Sequence, residues 1–229
     1  MSIWVCPHCP KVSAEREIEK IEGLARLYAY PCKPRFENGG LVILDSGAFG
    51  LSQSGRHMTF EYMKKLSEHY EKYYHDGMLC VAPDVAINPM QSMMNFQKWH
   101  TNNLFEKVTP VLQSEQKYFF NENSMLLQAE FYRKYSDNIF FGSPKMSAEF
   151  ARGLKVEKIF KELKNMGFKW VHKLGVGWNL EEIKFWRDVQ FLDSFDSISY
   201  YNAKTVNEFG SLNPVENVKT ILGVMQNEK

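Results

Sequence analysis

Four polar residues stand where apolar runs stop. Asp45 follows LVIL, Asp84 follows CVAP, Gln113 follows VTPVL, and Asp196 lies in FLDSFDS. A carboxylate placed directly after buried apolar residues sits at a strand tip. There it either caps the next turn or carries a charge that burial makes costly unless it is hydrogen-bonded or catalytic. Gln113 offers a donor and an acceptor on one amide, which suits the edge of a heterocycle, although glutamine is also an ordinary loop residue. Gly142 in FFGSP and Gly175 in KLGVGWN allow a ligand close to the backbone, and glycine is also normal at such turns. KLGVGWN ahead of a helix could hold a phosphate at the helix N-terminus. Asp193 and Asp196 bracket Phe195, so one faces inward and the other caps or is solvated.

The elements that must position these groups alternate in type. Apolar β-type runs are expected at 3–6, 41–44, 79–82, 108–112, 139–141, 170–176 and 196–200, with amphipathic runs between them. Helix starts carry physical signals. Asn88-Pro89 and Asn213-Pro214 each set a cap before a proline at the first helical position, and Asn179 with Glu182 has capping-box spacing. Ser13, Thr59 and Ser147 are candidate caps for three more helices. Repeated strand–helix units predict a parallel sheet. Seven or eight such units in 229 residues predict a single α/β domain over 1–229, a compact (β/α)8-type TIM barrel, with an open doubly wound sheet as the alternative. Either architecture puts a site at the carboxyl ends of the strands.

In order, DSGAFG from Asp45 to Gly50, then Asp84, Gln113, Gly142, KLGVG and DSFDS resemble the catalytic barrel of the tRNA-guanine transglycosylase family. The family's pattern is D-S-G-G-(Y/F)-Q, a later strand-end aspartate, a glutamine after a V-Q strand, a glycine turn, L-M-G-V-G and D-x-F-D. The match spans roughly 41–201 and is most similar to the bacteriophage DNA 7-deazaguanine transglycosylases of the DpdA type. The resemblance implies that Asp196 is the nucleophile and Asp45 the general acid and base. It also implies that Ser46, Phe49, Asp84, Gln113, Gly142, Leu174 and Gly175 contact the base. Phe49 and Leu174 would lie on its two faces, and Asn202 and Lys204 would face the nucleic acid. The implied reaction breaks an N-glycosidic bond at C1′ through an oxocarbenium-like state. One carboxylate traps the carbon, and the other protonates the departing guanine and later deprotonates the incoming base. The target base must leave its stack to reach such a pocket.

The sequence departs from the family in three places. The tRNA enzymes carry a C-terminal zinc site of three cysteines and a histidine, and this chain has no cysteine after Cys80. Their T-R-S-G-R stretch is SYYNAKT here, and their Gln after the first motif is Gly50. These differences favour DNA over tRNA as partner, with a 7-deazaguanine base of the preQ0 type as the incoming group. They also imply no metal and no cofactor, and leave room for a helper protein.

Composition sets the outer limits. Lys+Arg is 28 and Asp+Glu 27, a formal charge of +1, which excludes a histone-like binder but not a local basic patch. The hydrophobic fraction of 44% supports a packed core. Neither a signal peptide nor a membrane span is expected, which predicts a cytoplasmic protein with reduced thiols. CPHC, Cys6 to Cys9, opens three rival readings: a thiol-disulfide oxidoreductase, half of a zinc site, or plain thiols beside the first strand. Tyr70, Tyr73 and Tyr74 are expected to pack, Met90, Met93 and Met94 to fill the core, and Lys155, Lys158, Lys161 and Lys164 to form a solvated face.

Overall fold

The computed structural model describes residues 2–35, 39–115, 121–142, 151, 156–176, 179–197, 200 and 206–226. The strands are β1 (Ile3–Pro7), β2 (Arg26–Ala29), β3 (Val42–Asp45), β4 (Leu79–Val81), β5 (Val108–Thr109), β6 (Val111–Gln113), β7 (Asn138–Gly142), β8 (Trp170–Lys173) and β9 (Ser194–Asp196). All pair in parallel, in the order β5-β4-β3-β2-β1-β9-β8-β7-β6. The two ends of that order are consecutive in the chain and divided only by Pro110. Proline has no N–H for a ladder. The chain therefore pairs with β4 up to Thr109 and with β7 from Val111, while the Pro110 carbonyl accepts the Phe140 N–H at 2.9 Å. Residues 108–113 thus act as one stave, and the nine parallel strands form a nearly closed α/β barrel of the TIM type.

Around it lie α1 (Val12–Ile18), α2 (Ala48–Gln53), α3 (Phe60–Tyr73), α4 (Pro89–Thr101), α5 (Glu122–Tyr132), α6 (Val156–Asn165), α7 (Leu180–Asp188), α8 (Val206–Phe209) and α9 (Pro214–Gln226). Thr59, Asn88 and Asn179 cap α3, α4 and α7, accepting the N–H of Tyr62, Gln91 and Glu182 at 3.1, 3.0 and 3.0 Å. Asn213 accepts the Val215 N–H at 2.9 Å. Ser13 is no cap: α1 begins at Val12, and Lys11 holds the cap position without a side-chain bond. Ser147 lies outside the described residues. No described helix is long and apolar enough to cross a membrane.

Strand parity divides the core into two layers. Val5, Ala25, Leu27, Ile43, Val81, Val111 and Phe140 fill the barrel. Their neighbours Trp4, Cys6, Tyr28, Leu44, Cys80, Leu112 and Phe141 face the helices. Each large side chain so buried contributes about 1.5–3 kcal/mol. Tyr70 of α3 is fully buried and donates to the Val81 carbonyl at 2.7 Å, tying that helix to the strands beneath Asp45.

Several expectations need correction. β2 was missing from the expected strands, because Arg26 interrupts its apolar pattern. Arg26 points outward and is fully buried, paired with Glu15 of α1. The run expected at 170–176 stops at Lys173, and the run expected at 196–200 ends at Asp196 instead of starting there. Met90 and Met94 are exposed, at 67% and 55%, and so fill no core. The expected lysine face is exposed at Lys158 and Lys161, whereas Lys164 is half-buried against Asp193 and Lys155 lies outside the described residues.

Candidate functional site

Register explains why the polar strand ends meet. Gln113 pairs with Gly142, Phe141 with Lys173, and Lys173 with Phe195. One residue further along, Gly142, Leu174 and Asp196 therefore share a row with Gln113 on the inner face. Across the ring, Asp45 pairs with Ala29 at the same end of the sheet. Side chains two apart on a strand face the same way. Asp45, Gln113 and Asp196 thus continue the inward columns begun by Ile43, Val111 and Ser194.

The carboxylates lie close enough to feel one another. Asp45 is partly buried; desolvation first, then the negative charge of Asp84 and, more weakly, of Asp196, push its carboxyl up to about 7. The Gly47 N–H, donating to Asp45 Oδ2 at 3.0 Å, opposes that push. Burial lifts Asp84 to about 6, against hydrogen bonds from Ser46 and Gln113. Ser46 Oγ donates to Asp84 Oδ1 at 3.0 Å, and Gln113 Nε2 donates to Asp84 Oδ2 at 2.6 Å. Gln113 Oε1 accepts the Ile87 N–H at 3.3 Å, and the Gln113 backbone N–H and carbonyl are held by the Gln128 amide, each at 3.0 Å. The Gln113 amide therefore has a fixed orientation, with its N–H aimed at Asp84.

Two glycines are required by their surroundings. Gly47 has φ +73°, and a Cβ there would lie 2.8 Å from the Tyr30 carbonyl oxygen and 2.8 Å from the Tyr62 hydroxyl. A Cβ on Gly142 would lie 2.5 Å from Val111 Cγ1 and 2.6 Å from Gln113 Nε2, so its bareness makes room for the Gln113 amide.

Asp196 Oδ1 accepts the Gly175 N–H at 3.0 Å and lies 3.1 Å from His172 Nε2. His172 was not among the expected site residues, nor was Ser194, whose Oγ lies 2.7 Å from His172 Nδ1. The signal was present: each stands two residues before a residue that was expected, Leu174 and Asp196, and so shares its face. Asp193, the other member of the pair, accepts the Val171 N–H at 2.6 Å and pairs with Lys164. Lys173 faces the helices; burial drops its amine to about 7, with the Asp196 charge opposing.

Of the remaining expected residues, Ser46 is fully buried against Asp84, and Leu174 packs on the barrel interior. Phe49 is 59% exposed on α2. Asn202 and Lys204 lie outside the described residues. Two open surface hollows lie elsewhere, one beside Arg16 and Arg35, the other beside Glu157 and Lys184, and neither is lined by the acidic row.

CPHC has a structural account. The Cys9 N–H donates to Glu15 Oε2 at 2.8 Å, and the same carboxylate pairs with buried Arg26. Cys6 and Cys9 are buried free thiols. Burial lifts Cys6 to about 12, opposite to the direction a reactive thiol needs. Among the described residues no three His, Cys, Asp or Glu side chains converge to hold a metal.

No family model matches the chain, and no curated protein matches it. Among solved structures it is similar to orotidine 5'-phosphate decarboxylase from Lactobacillus acidophilus, at 12% identity over 99% of each chain with a TM-score of 0.44.

Proposed function

We propose that this protein is a base-exchange transglycosylase that replaces guanine in DNA with a 7-deazaguanine of the preQ0 type, through a covalent aspartyl-nucleoside intermediate. The observation that carries the reading is the meeting of Asp45, Asp84 and Asp196 at one end of the barrel, with Asp45 near neutrality and Asp84 bonded to Gln113. A carboxyl near pH 7 is protonated often enough to protonate a departing purine and ionised often enough to deprotonate an incoming one. Asp196 supplies the carboxylate that traps C1′, and among the described residues its carboxylate is held at Oδ1, by Gly175 and His172. Asp84, Ser46 and Gln113 present acceptors and donors to a purine edge. The ordered sequence resemblance gives the same roles to the same residues. A tRNA substrate is the second reading, since the same chemistry serves either nucleic acid. The thiol-disulfide alternative loses ground with Cys6 buried and its thiol pushed up.

The test is release of labelled guanine from DNA, and in parallel from tRNA, on adding a 7-deazaguanine base. Exchange on DNA that is abolished in Asp196→Ala is the expected result. Full exchange by that variant would remove Asp196 as nucleophile. No exchange on either substrate would overturn the reading.

A further inference from the structure

A file of hydrogen bonds crosses the inner face of β8 and β9 and ends on Asp196. Trp170 Nε1–H donates to Ser194 Oγ at 2.8 Å. Ser194 Oγ lies 2.7 Å from His172 Nδ1, and His172 Nε2 lies 3.1 Å from Asp196 Oδ1. His172 and Ser194 are fully buried and directly paired in the register.

Elementary chemistry fixes the protons. An ionised carboxylate only accepts, so Nε2 carries a hydrogen. Burial, outweighing the Asp196 carboxylate, lowers the proton affinity of the imidazole. The Ser194 hydroxyl, 2.7 Å from Nδ1 and already accepting from Trp170, has its proton left for a bare Nδ1, which makes the ring neutral, the direction in which burial also pushes it. A bare Nδ1 accepts, and the Ser194 hydroxyl beside it donates. The indole N–H cannot accept, so it takes a lone pair of Ser194 Oγ and leaves the hydroxyl proton for His172. Each link has one direction, from Trp170 to Asp196.

We propose that His172 is the positioning residue of the Asp196 nucleophile: a neutral imidazole, held as the Nε2–H tautomer by Ser194 and Trp170, it fixes Oδ1 so that Oδ2 attacks the anomeric carbon. This rests on the transglycosylase reading. Gly175 N–H binds the same Oδ1, and among the described residues no hydrogen bond falls on Oδ2. A cationic partner would hold the carboxylate in an ion pair and blunt its attack; a neutral donor orients it and leaves its charge for the oxocarbenium carbon. In the step, an Oδ2 lone pair forms the bond to C1′ as the C1′–N bond breaks. The bonding electrons leave with the purine, and Asp45 protonates it. The incoming base returns that proton to Asp45 when it displaces Asp196.

The experiment uses the full chain. His172→Phe keeps a ring against Phe140, whose centroid is 4.9 Å away, but removes both nitrogens. His172→Gln restores a donor near Nε2. Ser194→Ala keeps the imidazole and removes its lock, and it decides the matter if the Phe variant does not fold. The expected result is a fall in kcat of about 10²-fold for His172→Phe with little change in KM, as for a misplaced reacting group, and partial recovery in His172→Gln. Unchanged kcat in folded His172→Phe and Ser194→Ala overturns the proposal while leaving the transglycosylase reading intact, because Asp196→Ala run alongside tests that reading. If the wild type exchanges no base, the reading fails, and nitrogen NMR of the imidazole still decides the geometry. A neutral Nε2–H ring at about pH 7 upholds it, and an Nδ1–H or doubly protonated ring overturns it.

Discussion

Asp45→Asn isolates the electrostatics of the barrel mouth without needing a substrate. In the folded chain the Asp45 carboxyl keeps its proton to about pH 7, whereas its ordinary value is 3.8. The folded state therefore binds more protons than the unfolded state between these values. Stability falls as pH rises through that window and stays low above it. At about 1.4 kcal/mol per pH unit, the gap caps the effect at about 4 kcal/mol. Asp45 is partly exposed and shares its field with Asp84, so solvent and coupling reduce the expected gain to about 1–2 kcal/mol. Asn keeps an oxygen for the Gly47 N–H, removes the titrating group and puts an NH2 in place of the second oxygen. Urea unfolding at about pH 5 and about pH 8 should show the wild type losing stability relative to Asp45→Asn as pH rises. Asp84, raised to about 6, adds a slope of the same sign, whereas His172 and Lys173, both lowered by burial, add slopes of the opposite sign, so Asp45→Asn/Asp84→Asn should shift the balance further toward stability at the higher pH. If the proposed base exchange is this protein's activity, it should meanwhile fall by about 10²-fold or more in Asp45→Asn. Equal stability of wild type and Asp45→Asn at both pH values would refute the claim that three carboxylates crowd this end of the barrel.

Other perturbations test the supports of the site. Glu15→Ala strands Arg26, which is fully buried, and should cost about 3–5 kcal/mol in chemical denaturation, with an apolar replacement of both partners recovering most of it. Gly142→Ala drives a methyl into Val111 and the Gln113 amide and should cost about 1–3 kcal/mol in melting experiments. Ile87 is β-branched with φ 56°, and its N–H is aimed at Gln113. Ile87→Gly should raise stability by about 1 kcal/mol by relieving that backbone strain, and a lower melting temperature would show that the side chain packs more than it strains.

The sequence determined the alternation of elements and the identity of the residues at the strand tips. LVIL-Asp45 and VTPVLQ could be read because a buried run followed by one polar group is a local pattern, and parity of two then says which neighbours share its face. Asn88, Thr59 and Asn179 were equally legible, because a cap acts within one turn. What sequence could not determine was everything set by pairing across the ring. β2 escaped notice because Arg26 becomes acceptable in a strand only once Glu15 of α1 lies against it. Closure of the barrel depends on residues 108–113 pairing with different strands on either side of Pro110. His172 and Ser194 acquire their connection to Asp196 only from the register of β8 on β9. Tertiary structure also decided the chemistry of Asp45: proximity to Asp84 and Asp196, together with desolvation, moves its proton, and neither exists until the strands are side by side.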